Sequence, residues 1–155
     1  MSKNKKVVMA TGTFDIIHPG HGLYLKKAKE LGGKDSKLVV VVARDSTVYK
    51  TKRVPVINEN QRLEMIKLLK PVDSAYLGYE EDMFKIVKEI NPDIIAIGSD
   101  QKYDLDKLKK DLKSHNIYAD VLKVEDYRIA ELDSSCKIIK KIKETNFKVD
   151  TFKDC

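Results

Sequence analysis

A chain of 155 residues, 42% hydrophobic and 35% charged, reads as one soluble globular domain with room for a real core. No apolar run approaches the roughly 20 residues of a membrane span, no signal-peptide pattern is read at the start, and two cysteines, Cys136 and Cys155, do not make a disulfide framework. A cytoplasmic protein is therefore expected, and the net charge of +6 fits either an anionic partner or simply a Lys-rich solvated surface.

The elements alternate in chain order. A strand is expected over about Lys6–Ala10, then the stretch Thr11-Gly12-Thr13-Phe14-Asp15-Ile16-Ile17-His18-Pro19-Gly20-His21, then a helix from about Pro19 to Leu31 that stops at Gly32-Gly33. Leu38 to Ala43 is continuously apolar and β-branched, the pattern of a strand buried on both faces. Ser46 to Val56, with Lys50, Lys52 and Arg53, is polar and cationic with little periodicity, and a flexible loop or frayed turn is expected there. A second helix follows from about Glu59 to Leu69, capped by Asn58 and stopped by Pro71. Then come a strand at Ser74–Leu77, a helix from Asp82 to Ile90, a strand at Asp93–Ile97, a helix around Leu105–Ser114, a strand from Ala119 to Val124 and a last helix from near Ser134.

This order argues for an α/β fold: a Rossmann-like, doubly wound, five-stranded parallel sheet with helices on both faces. Residues 1–144 form the expected domain, and 145–155 a C-terminal tail that is partly ordered at best. Ligands in such sheets bind outside the carboxyl ends of the strands. The polar oddities fall there: the Thr11–His21 stretch, Arg44-Asp45 with the basic loop, Gly98-Ser99-Asp100-Gln101, and Tyr127, Arg128 with Ser134-Ser135. A strand feeding a helix N-terminus suits an anion, because unpaired N–H groups and the helix dipole both favour one. Pro19 fits the first helical position, Gly12 admits close backbone approach, and His18 and His21, three apart, can face one place. The residues alone leave other roles open. The histidines could be a capping pair or transition-metal ligands, and Asp15 could simply cap a turn. Tyr127 and the other tyrosines could stack on a ring or merely pack.

Gly12-Thr13-Phe14-Asp15 followed by His18-x-Gly20-His21 resembles the signature of the cytidylyltransferase-like nucleotidyltransferases. Ala43–Val48, Asn60–Met65, Pro71-Val72-Asp73 and Gly98–Gln101 are similar to archaeal FAD synthases, which are FMN adenylyltransferases, and more distantly to glycerol-3-phosphate cytidylyltransferases. The resemblance implies transfer of AMP from ATP to FMN, giving FAD and pyrophosphate. The alternative it leaves is a CTP-dependent cytidylyltransferase acting on glycerol 3-phosphate or a related alcohol phosphate, with a non-catalytic nucleotide-binding protein more distant. It implies His18, His21, Lys52 and Arg62 as catalytic phosphate contacts, with Lys50 and Arg53 as rival loop cations. Nucleotide contacts are implied at Thr11, Gly12, Thr13, Phe14, Asp15, Gly20, Gly98, Asp100, Tyr127, Ser134 and Ser135. It further implies Mg2+ on the polyphosphate with help from Asp15 but no closed protein metal site, ATP and FMN as partners, no nucleic acid or membrane, and a homodimer. One departure stands out: Arg128 is displaced by a residue, and Leu132 stands where the cytidylyltransferases carry Gly.

Overall fold

The computed structural model describes residues 4–148. The sheet is built on β1 (Val7–Gly12), with β2 (Lys37–Val42) on one side and β4 (Ile94–Gly98) on the other. The edges are β3 (Ser74–Leu77) beside β2 and β5 (Asp120–Val124) beside β4, so the order is β3-β2-β1-β4-β5 and every pairing is parallel. The chain reverses its direction of travel across the sheet between β1 and β4, which is the switch point where such sheets open a crevice.

Strand periodicity divides the core into two layers. Val8, Ala10, Leu38, Val40, Val42, Ile94 and Ala96 meet α1 (Pro19–Leu31) and α3 (Glu59–Lys67) through Leu25, Ala28 and Ile66. Met9, Val41, Ile95 and Ile97 meet α4 (Met83–Ile90) and α5 (Leu105–Ser114) through Ile86, Val87, Leu108 and Leu112. The expectation of helices on both faces holds. Register is pinned by the same device twice. Asp73, before β3, accepts a hydrogen bond from the Leu38 amide at 2.7 Å. Asp93, before β4, accepts one from the Val7 amide at 2.8 Å. Each carboxylate ties the start of its own strand to the start of the neighbouring one, where the ladder has not yet begun.

The structure differs from the sequence expectation in two places near the site. β1 runs two residues further than Ala10, because Gly12 still pairs, its carbonyl accepting from the Ala43 amide at 2.9 Å. The segment expected to be loop begins instead with a short helix, α2 (Asp45–Lys50). One buried side chain, Val48, anchors it, and Thr51 Oγ1 closes its end on the Val48 carbonyl at 2.7 Å. Too short to show a hydrophobic period, it is held by tertiary contacts rather than propensity. The last element is α6 (Ser135–Glu144); residues 145–148 have no regular structure, and the rest of the expected tail, with Cys155, lies outside the described residues.

Candidate active site

At the carboxyl edge of the sheet lies a cleft of about 640 Å³, bordered by loops after β1, β2, β4 and β5 and by α6. Its floor is the loop between β1 and α1. Phe14 (φ 56°) and Ile16 (φ 49°) both take the left-handed conformation, which costs energy for residues with a Cβ and persists only where the surroundings impose it. The Phe14 ring folds back over Gly12, and a Cβ there would come to 2.8 Å from Cζ of the ring. Arg62 supplies the other restraint. Its guanidinium donates to the Thr13 carbonyl at 2.6 Å, the Ile57 carbonyl at 2.9 Å and Asp45 Oδ1 at 2.7 Å. Asp15 accepts from the Val56 and Ile57 amides at 2.7 and 2.9 Å, while its own carbonyl accepts from Ser135 Oγ.

His18 and His21 stand on the first turn of α1. His18 is the N-cap, with Nδ1 accepting from the His21 amide at 3.4 Å. An accepting Nδ1 puts the proton of a neutral ring on Nε2. The two rings stack with centroids 3.7 Å apart, and Phe14 meets His21 edge-on at 5.4 Å. Burial pushes the His21 pKa down to about 3, with His18 adding to the effect. Burial also lowers His18, reinforced by the nearby Arg128 cation. Both rings are therefore neutral at physiological pH. His21 Nδ1 is buried without a hydrogen-bond partner among the described residues, a cost a bound ligand can relieve. Between them Gly20 lies so close to the loop before α6 that a Cβ would reach 2.5 Å from the Asp133 carbonyl oxygen. The capping role left open by the sequence is thus real for His18, and it coexists with a place in the cleft wall.

The β4 and β5 side is polar. The Gly98 amide donates to Gln101 Oε1 at 2.9 Å, and Gln101 Nε2 donates to the Thr11 carbonyl at 3.1 Å, which knits this loop to β1. Asp100 accepts from the Tyr127 hydroxyl and pairs with Arg128. Tyr127 packs on Tyr24 at 5.3 Å, and a Cβ on Gly98 would collide with its hydroxyl at 2.6 Å. Ser134 caps α6, its Oγ accepting from the Lys137 amide at 3.1 Å, and the neighbouring Asp133, only 2% exposed, is paired with Lys137 at 2.7 Å.

The expected nucleotide contacts Thr11, Gly12, Thr13, Phe14, Asp15, Gly20, Gly98, Asp100, Tyr127, Ser134 and Ser135 all border this one cleft with His18 and His21. Two expected catalytic residues do not. Arg62 is 1% exposed, and its side chain is spent on protein acceptors, so it braces the loop and reaches no phosphate. Lys52 lies outside the lining, and Lys50 donates to the Glu80 carbonyl at 3.3 Å, which leaves Arg53 as the loop cation in the cleft. A sequence cannot show which way a cation faces. Tyr24 and Asp133 also border the cleft. In the sequence both look like ordinary helix and loop residues, and no spacing signal marks them.

A parallel sheet with its crevice at the β1/β4 switch point, and a histidine pair on the helix that opens there, define a nucleotidyltransferase of the α/β class. The chain belongs to the cytidylyltransferase-like family, whose model matches residues 9–144. It is 66% identical to the FAD synthase of Methanobrevibacter ruminantium over 143 residues, covering 92% of this chain and 95% of that one. It is 67% identical to the FAD synthase of Methanothermus fervidus over 139 residues, covering 90% and 96%. Among solved structures it resembles the lipopolysaccharide core biosynthesis protein from Thermoplasma volcanium, with 48% identity and a TM-score of 0.75 over 79% of this chain and 98% of that one.

Two outcomes follow from the site's electrostatics. Arg62→Met leaves Asp45 and two carbonyls without their donor, and is expected to cost about 3 kcal/mol in urea unfolding; a loss near zero would mean the guanidinium is dispensable. The His21 pKa lies below its unfolded value of about 6.5, so between there and about 3 the unfolded chain binds a proton the native one refuses. Stability must fall as pH drops through that window. From about pH 7.5 to about pH 5, wild type should lose about 2 kcal/mol more than His21→Gln, and equal losses would contradict the neutral assignment.

Proposed function

We propose that the chain transfers the AMP group of ATP to FMN, forming FAD and pyrophosphate. The observation that carries the transfer is the neutral histidine pair on the first turn of α1, at the switch point of the sheet. FMN as acceptor is supported by the likeness to FAD synthases over nine-tenths of the chain.

In this reading the nucleoside lies against Gly98, Asp100 and Tyr127, and the triphosphate crosses the Thr11–Phe14 backbone toward the N-termini of α1 and α6. An FMN phosphate oxygen attacks the α-phosphorus. The new P–O bond forms as the bond to the β-phosphate bridging oxygen breaks, and pyrophosphate carries away that electron pair. Catalysis of such a step is positioning and charge stabilisation. Neutral imidazoles donate hydrogen bonds without first needing a counter-charge, and they strengthen as negative charge builds on the phosphate oxygens. Arg53 and Arg128 supply full charges at the rim. Ser134 and Ser135 present the start of α6, where unpaired amides favour an anion.

Among the described residues no group of three or more His, Cys, Asp and Glu could hold a metal ion, and Asp15 spends both carboxylate oxygens on backbone amides. Mg2+ is taken to arrive as part of the ATP substrate. No helix among the described residues is long and apolar enough to cross a membrane. The homodimer is carried over from the superfamily by analogy, and residues 1–144 are taken as the transferase unit.

Purified protein with Mg2+, ATP and FMN is expected to yield FAD and pyrophosphate on chromatography, with His18→Ala and His21→Ala each lowering kcat on the order of 10²–10³ while circular dichroism stays unchanged. Product from CTP and glycerol 3-phosphate, with none from ATP and FMN, would overturn the assignment.

A further inference from the structure

The border of the cleft is chemically mixed. The loops after β4 and β5 contribute polar groups. Val54 and Pro55, in the segment after α2, and Ile139 on α6 contribute aliphatic ones. Val54 is 75% exposed, and no residue of α6 is fully buried, Ile139 being only partly covered. Exposed aliphatic groups scattered singly need no explanation. Here they come from two segments distant in sequence and border the same cavity.

Asp15 joins the two segments. Its carboxylate holds the Val56 and Ile57 amides, directly after Pro55, and its carbonyl holds Ser135 Oγ, at the start of α6. One residue of the phosphate-binding loop therefore sets both aliphatic walls at once. The sheet order decides what belongs between them. β1 carries the phosphate loop, β4 and β5 the polar loops assigned to the nucleoside, and β2 lies on the opposite side of β1. The acceptor must approach the α-phosphorus from the part of the cleft that neither nucleoside nor pyrophosphate fills, and Val54 and Pro55 follow β2, away from the loops assigned to the nucleoside. A polyol phosphate has almost no apolar surface to cover there. A flat, fused heteroaromatic ring has a great deal, and Arg53 borders the same region with a charge suited to the phosphate such an acceptor carries.

We propose that the isoalloxazine ring of FMN lies between Val54–Pro55 and Ile139, with Arg53 on its phosphate; this rests on the reading of the chain as an FMN adenylyltransferase. The slot makes Val54 and Ile139 selectivity residues for the acceptor, with no part in holding ATP. Both side chains are only partly covered or exposed, so polar substitutions there leave the core untouched.

The test is steady-state kinetics on Val54→Asp, Ile139→Asp and Val54→Leu, with ATP and FMN varied separately. Each Asp variant is expected to raise KM for FMN about tenfold, the loss from uncovering one aliphatic side chain's share of apolar surface, with KM for ATP unchanged. Val54→Leu should keep the wild-type KM for FMN. An unmoved KM for FMN, or equal rises in both KM values, would overturn the slot while the adenylyltransferase reading stands. A wild-type protein that makes no FAD would overturn the reading itself, and the slot with it.

Discussion

The site depends on keeping two imidazoles uncharged and face to face at the mouth of a helix. At a centroid separation of 3.7 Å, two imidazolium ions would repel strongly in a partly buried setting. A helix N-terminus would add to that repulsion. Burial solves the problem by pushing both pKa values down. Much of the surrounding structure can be read as supplying that burial. Gly20 lets the Asp133 backbone close over the turn, Phe14 covers His21 from the side, and Arg62 holds the strained Thr13–Phe14 turn against the sheet.

The consequence is a phosphate site that works with few formal charges. Most of the chain's thirty Lys and Arg lie elsewhere, and of the cations near the motif Arg62 is internal and Lys50 is tied to Glu80. Besides neutral groups, the cleft is bordered by two arginines, one of them paired with Asp100, and by Asp15 and Asp133, which are held by protein partners. Such a site stabilises charge that moves during a reaction without clamping the product pyrophosphate with a cluster of lysines.

The fold was legible because the three central strands are largely aliphatic runs and every helix but α2 carries a side-chain N-cap. Asn58, Asp82, Asp104 and Ser134 all cap as side-chain acceptors. The centre of the site was legible because the residues sit together in sequence: the eleven positions from Thr11 to His21 make a strand end, one loop and one helix turn. What sequence could not reveal was direction and partnership. Arg62 resembles a phosphate ligand until three protein acceptors surround it. Lys52 and Arg53 are neighbours, yet only Arg53 borders the cleft. Asp15 looks like a metal or turn residue, but it is the tie between α6 and the segment after α2. The helix α2 was missed because six residues carry no period and its stability comes from Val48 and the Arg62–Asp45 pair.

The central claim, that the histidine pair faces the triphosphate as neutral donors, is tested most directly by following the imidazole nitrogens in histidine-labelled protein by NMR. An ATP analogue with a non-hydrolysable α,β bridge would be titrated in at neutral pH. Both His18 and His21 should be neutral before addition, and both should shift together on saturation as their nitrogens gain hydrogen bonds to phosphate oxygen. Rings already charged in the free protein, or resonances that stay in place while the analogue binds, would contradict it.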